Sequence, residues 1–496
     1  MALPAFVQGF IHGKWNLYVI VLISFAVYAN TLFFDFVLDD RVVFTENQYV
    51  QKGLAGIPEI FGKETFAGYF KDSGLRSTVS GGRYRPLTLG FFALQNQIAG
   101  NNAFLAHLLN VLFFCLMNVV LFKSMSGLLK YRFPEHAVTA AFLATLLFAV
   151  HPIHTEVVAN VKGLDEIWAL GFSLLALNSI LNAPAKNNSW SSYAWAGLWF
   201  MLAMFSKENA FVFIALIPLS LILFTPYTKT QMLRTMTSLG LGAVLFMTCR
   251  IAVVGTQFMQ ESKNFLENPF LQFRGERLVE MLPADRYGTI LYTFLRYVYL
   301  HVFPYPLTHD YAPKSIATHS LASPLALAGL VLAAAMVVLA LMWRKSKPVY
   351  SWSILVFILA LLPTSNLFFS VGAYMGERFA FVSSVGFCLA LAYWTSAKLL
   401  PRSNAYLYAF GMILVLFAGR TVMRNTAWKD NMTLFNTDYR YSSNSAKLNS
   451  SLGFTMLENY RNQTDKESHA HLLTQAIFHL KKAGEIYPKY ADCFFL

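Results

Sequence analysis

The chain has 496 residues, 56% of them hydrophobic and only 13% charged, with a mean hydropathy of +0.46. Soluble domains carry about 25% charged residues, so a soluble globular protein is excluded and a polytopic membrane protein is expected. The formal net charge of +13 would suit a nucleic-acid binder, but the cations are scattered over short loops, where they report topology. Cys115, Cys249, Cys388 and Cys493 show neither metal-ligand nor disulfide-framework spacing.

The first apolar run, 15–34, is long enough to span a bilayer and is followed by Asp35, with no small-residue cleavage site. It is expected to be the first of about eleven transmembrane helices, the others at 103–124, 137–152, 166–182, 193–206, 208–224, 235–254, 322–343, 349–364, 379–396 and 405–422. One set of loops holds Lys123, Lys130 and Arg132, then Lys186, Lys229 and Arg234, Arg344, Lys345 and Lys347, Lys398 and Arg402, with Lys14 before the first span. The positive-inside rule places that set, and the N-terminus, in the cytoplasm. Residues 287–304 carry Arg296 and His301 and end in Pro304 and Pro306. They are expected to be re-entrant or interfacial, since a further span would move Arg344–Lys347 outside.

The fold class is therefore an all-α polytopic membrane protein whose membrane domain covers 1–422. Two long extracytoplasmic loops, 35–102 and 255–321, and an extracytoplasmic tail, 423–496, place the working face outside the cytosol. In the tail, Ala446–Tyr460 and His469–Tyr487 pattern as amphipathic helices closed by Pro488, which fits one tetratricopeptide-like unit. The chain ends at Cys493-Phe494-Phe495-Leu496, which suggests a truncated array or a repeat docked on the membrane domain.

Five polar strings fall on that outer side. Asp39-Asp40 follows the first span; paired acids suit general-base chemistry or cation binding, and the plain alternative is a solvated pair ending a helix. Gly81-Gly82-Arg83-Tyr84-Arg85-Pro86 supplies a guanidinium fork suited to phosphate. His151-Pro152-Ile153-His154-Thr155-Glu156 leads into Asn160–Glu166, which contains Lys162. Its histidines lack the helical metal spacing His-Glu-x-x-His. Ser206-Lys207-Glu208 and Gly376-Glu377-Arg378 complete the set. Together they suggest a polar cavity at the membrane edge, with His151, His154, Glu156, Glu208 and Glu377 among its polar lining.

The ordered set resembles the transmembrane and tetratricopeptide-repeat O-mannosyltransferases and their bacterial relatives, of the GT-C glycosyltransferase class. The matching strings are Val37-Leu38-Asp39-Asp40, Tyr84-Arg85-Pro86-Leu87-Thr88, His107-Leu108-Leu109-Asn110-Val111, His151–Glu156, Ser206-Lys207-Glu208, Pro363–Phe369, Glu377-Arg378, Ser384–Cys388 and Arg420–Trp428. Leu164 departs from the pattern, which often has Arg after the glycine that matches Gly163; Lys162 is the stand-in cation.

The resemblance implies a GT-C-like fold and transfer of a sugar, mannose or another hexose, from a polyprenyl-phosphate donor. The acceptors are Ser/Thr hydroxyls of extracytoplasmic proteins, and the anomeric carbon inverts. Asp39, or Asp39 with Asp40, matches the catalytic acid position, and Arg85, Lys162, Lys207 and Arg378 are the candidates for the donor phosphate. No cofactor is expected; a divalent metal on Asp39 and Asp40 is the alternative. The expected partners are the lipid-linked sugar, the acceptor protein and membrane lipid, not nucleic acid. The expected location is a bacterial inner membrane with a periplasmic active face, or else the endoplasmic reticulum with a lumenal one. Rival readings are a lipid-linked glycan ligase or polymerase, a transporter, and a non-catalytic scaffold.

Overall fold

The computed structural model describes residues 9–11, 13–70, 82–183, 190–256, 264–274, 277–311 and 315–488. Gly81, Lys186 and the Cys493–Leu496 terminus lie outside them. In chain order the longer helices are α1 Trp15–Tyr28, α2 Pro86–Ala99, α3 Ala103–Lys130, α4 Pro134–Val150, α5 Leu164–Leu181, α6 Ser191–Ser206, α7 Phe213–Phe224 and α8 Lys229–Val254. They continue with α9 Pro283–Val302, α10 Pro324–Ser346, α11 Pro348–Leu361, α12 Ser383–Trp394, α13 Ala405–Asn425, α14 Asn431–Ser442, α15 Ala446–Arg461 and α16 Ala470–Ile486. Between α8 and α9 a short antiparallel hairpin, β1 Leu271–Arg274 and β2 Arg277–Glu280, is an addition to the all-helical expectation.

Local chemistry explains the starts and stops. Prolines open α2, α4, α9, α10 and α11, where a missing N–H costs nothing. Asn102 caps α3 by accepting from the Leu105 amide, and Thr228 with Gln231 forms a capping box at α8.

A helix stands at each of the expected span positions, but they differ in length. Among the described residues, six helices are long and apolar enough to cross a membrane: Trp15–Phe33, Ala103–Lys130, Val161–Leu181, Lys229–Val254, Pro324–Ser346 and Ala405–Trp428. The pair Pro134–Val150 and Pro152–Val158, bent by 55°, makes a seventh if taken as one span. Glu208–Phe224 and Pro348–Thr364 are shorter apolar helices, and α6 and α12 have 16 and 12 residues. The shortness has a common cause. α4 stops before His151-Pro152, α6 stops before Lys207, and α12 starts only after Glu377-Arg378. These helices give up length to polar strings at one end of the bundle.

α4 is the centre of the bundle: every residue from Thr139 to Val150 is buried, against α3 and α12. α10 and α13 lie at the periphery, with 17% and 11% of their apolar windows buried against 61% for Val161–Leu181. α9 has a buried face, with Ile290, Tyr297 and Leu300 in a second core, and an exposed one that includes Tyr287, Tyr299 and Val302. The tail helices α15 and α16 pack against each other where the pattern placed them. Trp428, Leu434, Phe435, Leu448 and Leu452 form one core with Phe34 and Val37 of the first loop and with Ala159.

Candidate functional site

The chain leaves α1 through a short 3-10 turn, Ala29–Phe33, and the segment 34–37 leads to the acid pair. The two carboxylates then part company. Asp40 is fully buried, and its oxygens accept from the amides of Val37 (3.1 Å), Lys162 (2.7 Å) and Val161 (3.4 Å). Burial nevertheless pushes it up to about 7. Asp40 thus staples the first loop to the turn at 160–163, with both of its oxygens engaged by backbone amides. That corrects its expected place beside Asp39 as a catalytic group. Asp39 has a side chain 47% exposed and accepts from Lys162 Nζ at 2.8 Å. The ammonium holds its carboxyl well below the usual carboxylate range.

Asp39 faces a small cavity lined by Leu38, Glu156, Asn160, Lys162, Asp165, Glu166, Lys207 and Arg378, among others. Gly163, in the wall, is needed for close approach: a Cβ there would stand 1.9 Å from the Val157 carbonyl oxygen. Arg378 pairs with Glu156 through its guanidinium and through its backbone N–H (2.9 Å). Lys207 is buried between Asp165 (3.0 Å) and Glu166 (2.7 Å). Behind it, Arg85 spans Asp165 (2.7 Å) and Glu208 (2.9 Å). Glu208 also accepts from the Tyr84 amide at 2.9 Å.

The four expected phosphate ligands therefore converge on one end of the bundle with different freedom. Lys162 and Arg378 each hold one carboxylate at the cavity surface. Lys207 and Arg85 are each held by two, with side chains only 4% and 9% exposed. Removing a partner from such a buried pair costs about 3–5 kcal/mol, so Lys207 and Arg85 act first as structural ties.

Four of the five expected lining residues are elsewhere. His151 is fully buried, with Nε2 on the His301 carbonyl (3.0 Å) and Nδ1 accepting from the Ile153 amide (3.3 Å). His154, also fully buried, lies between the Phe148 carbonyl (2.8 Å) and Ser384 Oγ (2.7 Å). Both hold backbone turns where α4 breaks, which corrects their expected place in the cavity. Glu377 is buried behind Arg378, accepting from the Thr308 amide (2.5 Å) and Tyr311 hydroxyl (3.0 Å), and burial pushes it up to about 8. Glu208 backs Arg85. Of the expected polar lining, Glu156 alone faces the cavity.

Asp165, Glu166 and Arg83 join the site beyond the residues expected from sequence. The adjacent acids opening α5 next to Lys162 were the available signal for the first two. Arg83 shares a string with Arg85, and among the described residues its guanidinium has no hydrogen-bond or ion-pair partner; burial and the neighbouring Arg85 lower its affinity for a proton. A divalent metal on Asp39 and Asp40 does not fit, because Asp40's oxygens are turned to backbone amides and away from Asp39's exposed carboxylate. Among the described residues no group of three or more His, Cys, Asp or Glu is arranged to hold a metal ion.

No family model matches the chain. A protein O-mannosyl-transferase of Caenorhabditis elegans is 28% identical over 455 residues, covering 91% of this chain and 61% of the relative. The human protein O-mannosyl-transferase TMTC3 is 28% identical over 472 residues, covering 89% of this chain and 49% of the relative. The chain is similar in sequence to protein O-mannosyl-transferases. It spans about half to three-fifths of the length of these two curated relatives. Among solved structures, the mycobacterial arabinofuranosyltransferase AftD aligns with a TM-score of 0.43 at 12% identity, over 86% of this chain and 27% of that one. The Archaeoglobus fulgidus oligosaccharyltransferase in its apo form aligns with a TM-score of 0.43 at 10% identity, over 95% and 60%.

Proposed function

We propose that the chain is a GT-C-like membrane glycosyltransferase that moves mannose or another hexose from a polyprenyl phosphate to Ser/Thr hydroxyls of proteins outside the cytosol. The observation that carries this reading is the meeting of Asp39, Lys162 and Arg378 at one open cavity. An exposed carboxylate stands there beside cations that are each held by a single partner. The names of the relatives support the same reaction class.

The chemistry follows from the ion pairs. The donor phosphate enters the cavity and competes with Asp39 and Glu156 for Lys162 and Arg378. As Lys162 turns to the phosphate, Asp39 loses the charge that suppressed its basicity. Asp39 then takes the proton of the acceptor hydroxyl, whose oxygen bonds to the anomeric carbon as the bond to the lipid phosphate oxygen breaks. The electron pair leaves with the phosphate and is stabilised by Lys162 and Arg378. Attack opposite the leaving group inverts the carbon. The same pairs keep the cavity charges matched when no donor is bound.

The topology belongs to this proposal. An N-terminus in the cytoplasm and eleven crossings bring all five polar strings to one outer face, and the contacts among Asp39, Arg85, Lys162, Lys207 and Arg378 support that arrangement. α15 and α16 are proposed as a tetratricopeptide-like element that receives the acceptor protein. That face is lumenal or periplasmic. The relatives named above are animal proteins, so they lend no support to a bacterial membrane.

The test is transfer of radiolabelled mannose from polyprenyl phosphate to endogenous protein in membranes holding the chain or its Asp39→Asn variant at matched expression. Label on protein is expected from the first and a loss of at least about 100-fold from the second. Label confined to lipid-linked glycan would replace the protein-acceptor reading with a ligase. Equal labelling by both chains would remove Asp39 from the mechanism.

A further inference from the structure

The residue before the exposed carboxylate is in an unusual conformation. Leu38 has φ +52°, in the left-handed region that a side chain with a Cβ rarely adopts. It lines the cavity, and it sets the direction in which Asp39 leaves the chain. An ordinary φ at this position would turn the next residues away from the amides of Val161 and Lys162, which Asp40 now accepts from.

Strain of this kind persists only where the surroundings over-determine it. Here the contacts come from a segment almost four hundred residues away in sequence. The Leu38 amide donates to Asn431 Oδ1 at 2.9 Å, at the start of α14 in the tail. The Asp35 amide donates to the Lys429 carbonyl at 2.9 Å. The turn is closed from within by Asp40 N–H to Val37 O (3.1 Å) and Arg41 N–H to Leu38 O (3.2 Å). Val37 and Leu38 pack into the core that α14 and α15 build.

Asn431 does not dock the tail. Docking is secured elsewhere. Arg424 grips Asp438 of α14 with two bonds of 2.6 and 3.0 Å, and the amide and ring of His309 bind the same carboxylate at 2.7 and 2.8 Å. Ser442 donates to the Asp310 carbonyl at 2.8 Å. The Asn431 amide group is thus available for a local task.

We propose that Asn431 is a positioning residue that holds Leu38 in its left-handed conformation and so aims Asp39 into the cavity, making the tail a working part of the active site. The inference rests on the glycosyltransferase reading for its kinetic consequence, but the geometric claim stands apart from it. A role in positioning differs from a role in folding in one respect. Glycine adopts positive φ without penalty, so Leu38→Gly should remove the need for the clamp.

The experiment compares purified full-length chain with Asn431→Ala, Asn431→Asp and the double variant Leu38→Gly/Asn431→Ala, using polyprenyl-phosphate mannose. Asn431→Ala is expected to lower kcat about tenfold with donor KM within about twofold, since misaim affects the reacting geometry more than donor binding. Asn431→Asp, which keeps the acceptor oxygen, and the double variant should both regain most of the lost kcat. An unchanged kcat in Asn431→Ala, or a loss that Leu38→Gly fails to restore, would overturn the proposal. Hydrogen exchange separates this from failure of the functional reading. Even if the wild type transfers no sugar, Asn431→Ala should speed exchange of the Leu38–Arg41 amides and leave those of Leu434–Leu457 protected. Equal exchange of Leu38–Arg41 in both chains would end the clamp idea irrespective of activity.

Discussion

Two charged clusters lie at one end of this molecule, and they are built to different rules. At the tail junction, Asp438 is fully buried and takes two bonds from Arg424 and two from His309. Burial works against ionisation there, yet these partners hold the carboxyl below its usual range. At the cavity, Asp39 is half-exposed and has one lysine, and Arg378 is one-third exposed on Glu156. The first cluster is closed, and any exchange of partners would strand a charge in the interior. The second can trade a carboxylate for an incoming phosphate while water or substrate covers the partner released. Similar residue types thus form a rivet in one place and, in the proposed function, a binding site in the other, and the degree of enclosure separates the two.

The comparison breaks most visibly at the rivet. Asp438→Ala leaves the Arg424 guanidinium buried without its carboxylate, and a loss of about 3–5 kcal/mol is expected. Thermal unfolding in detergent, with limited proteolysis of the tail, would register it; a variant as stable as wild type would mean the junction is wet and not closed. Lys162→Ala should do the opposite. Asp39 can rehydrate, so stability should change little, while kcat/KM should fall about 100-fold, roughly 2.7 kcal/mol, from the lost phosphate contact. Loss of fold in Lys162→Ala would place that lysine with the rivets.

Glu377 tests the border between the clusters. Its folded-state pKa, raised by burial from an ordinary 4.5 to about 8, lies above the unfolded value, so the folded chain binds the extra proton between those limits. Stability therefore falls as pH rises from about 4.5 to about 8 and levels off above that. Glu377→Gln, which cannot ionise, should remove this slope and be worth at most about 2 kcal/mol between pH 6 and 8. Identical pH profiles of melting temperature for the two chains would show that Glu377 is already ionised at pH 6.

What could be read from the residues alone follows the same divide. The cations and acids at 39, 85, 162, 207 and 378 could be assigned to one face because span counting fixes sides, and sides are a one-dimensional property. The eleven helix positions were legible for the same reason. Which carboxylate of Asp39-Asp40 faces solvent was not. It depends on the φ of Leu38 and on the backbone amides of Val161 and Lys162, which no local pattern reveals. His151 and His154 read as cavity residues by their company with Glu156. Their ring nitrogens are taken by the backbone of α4 and α9 and by Ser384, contacts that exist only after packing. The partners of Asp438, at 309 and 424, are separated from it by 129 and 14 residues, so the rivet left no local trace.

The smallest expected effect comes from a pair that resembles the rivet in composition and differs in every physical respect. Arg41 Nη1 lies 3.4 Å from Glu458 Oε2 of α15, the side chains 42% and 54% exposed, and Arg41 has Glu46 as a second partner. An ion pair in water gains little over its hydrated members and costs side-chain entropy to hold, so Glu458→Ala should change stability by about 0–0.5 kcal/mol. The pair is a contact between the first loop and the tail, as is that of Leu38 with Asn431, which makes it the fair control for contact without enclosure. If tail contact as such supported the loop that carries Asp39, Glu458→Ala and Asn431→Ala would slow transfer alike. If enclosure and direction matter, Glu458→Ala should keep wild-type kcat, with any change in melting temperature disappearing at high salt, where exposed pairs are screened.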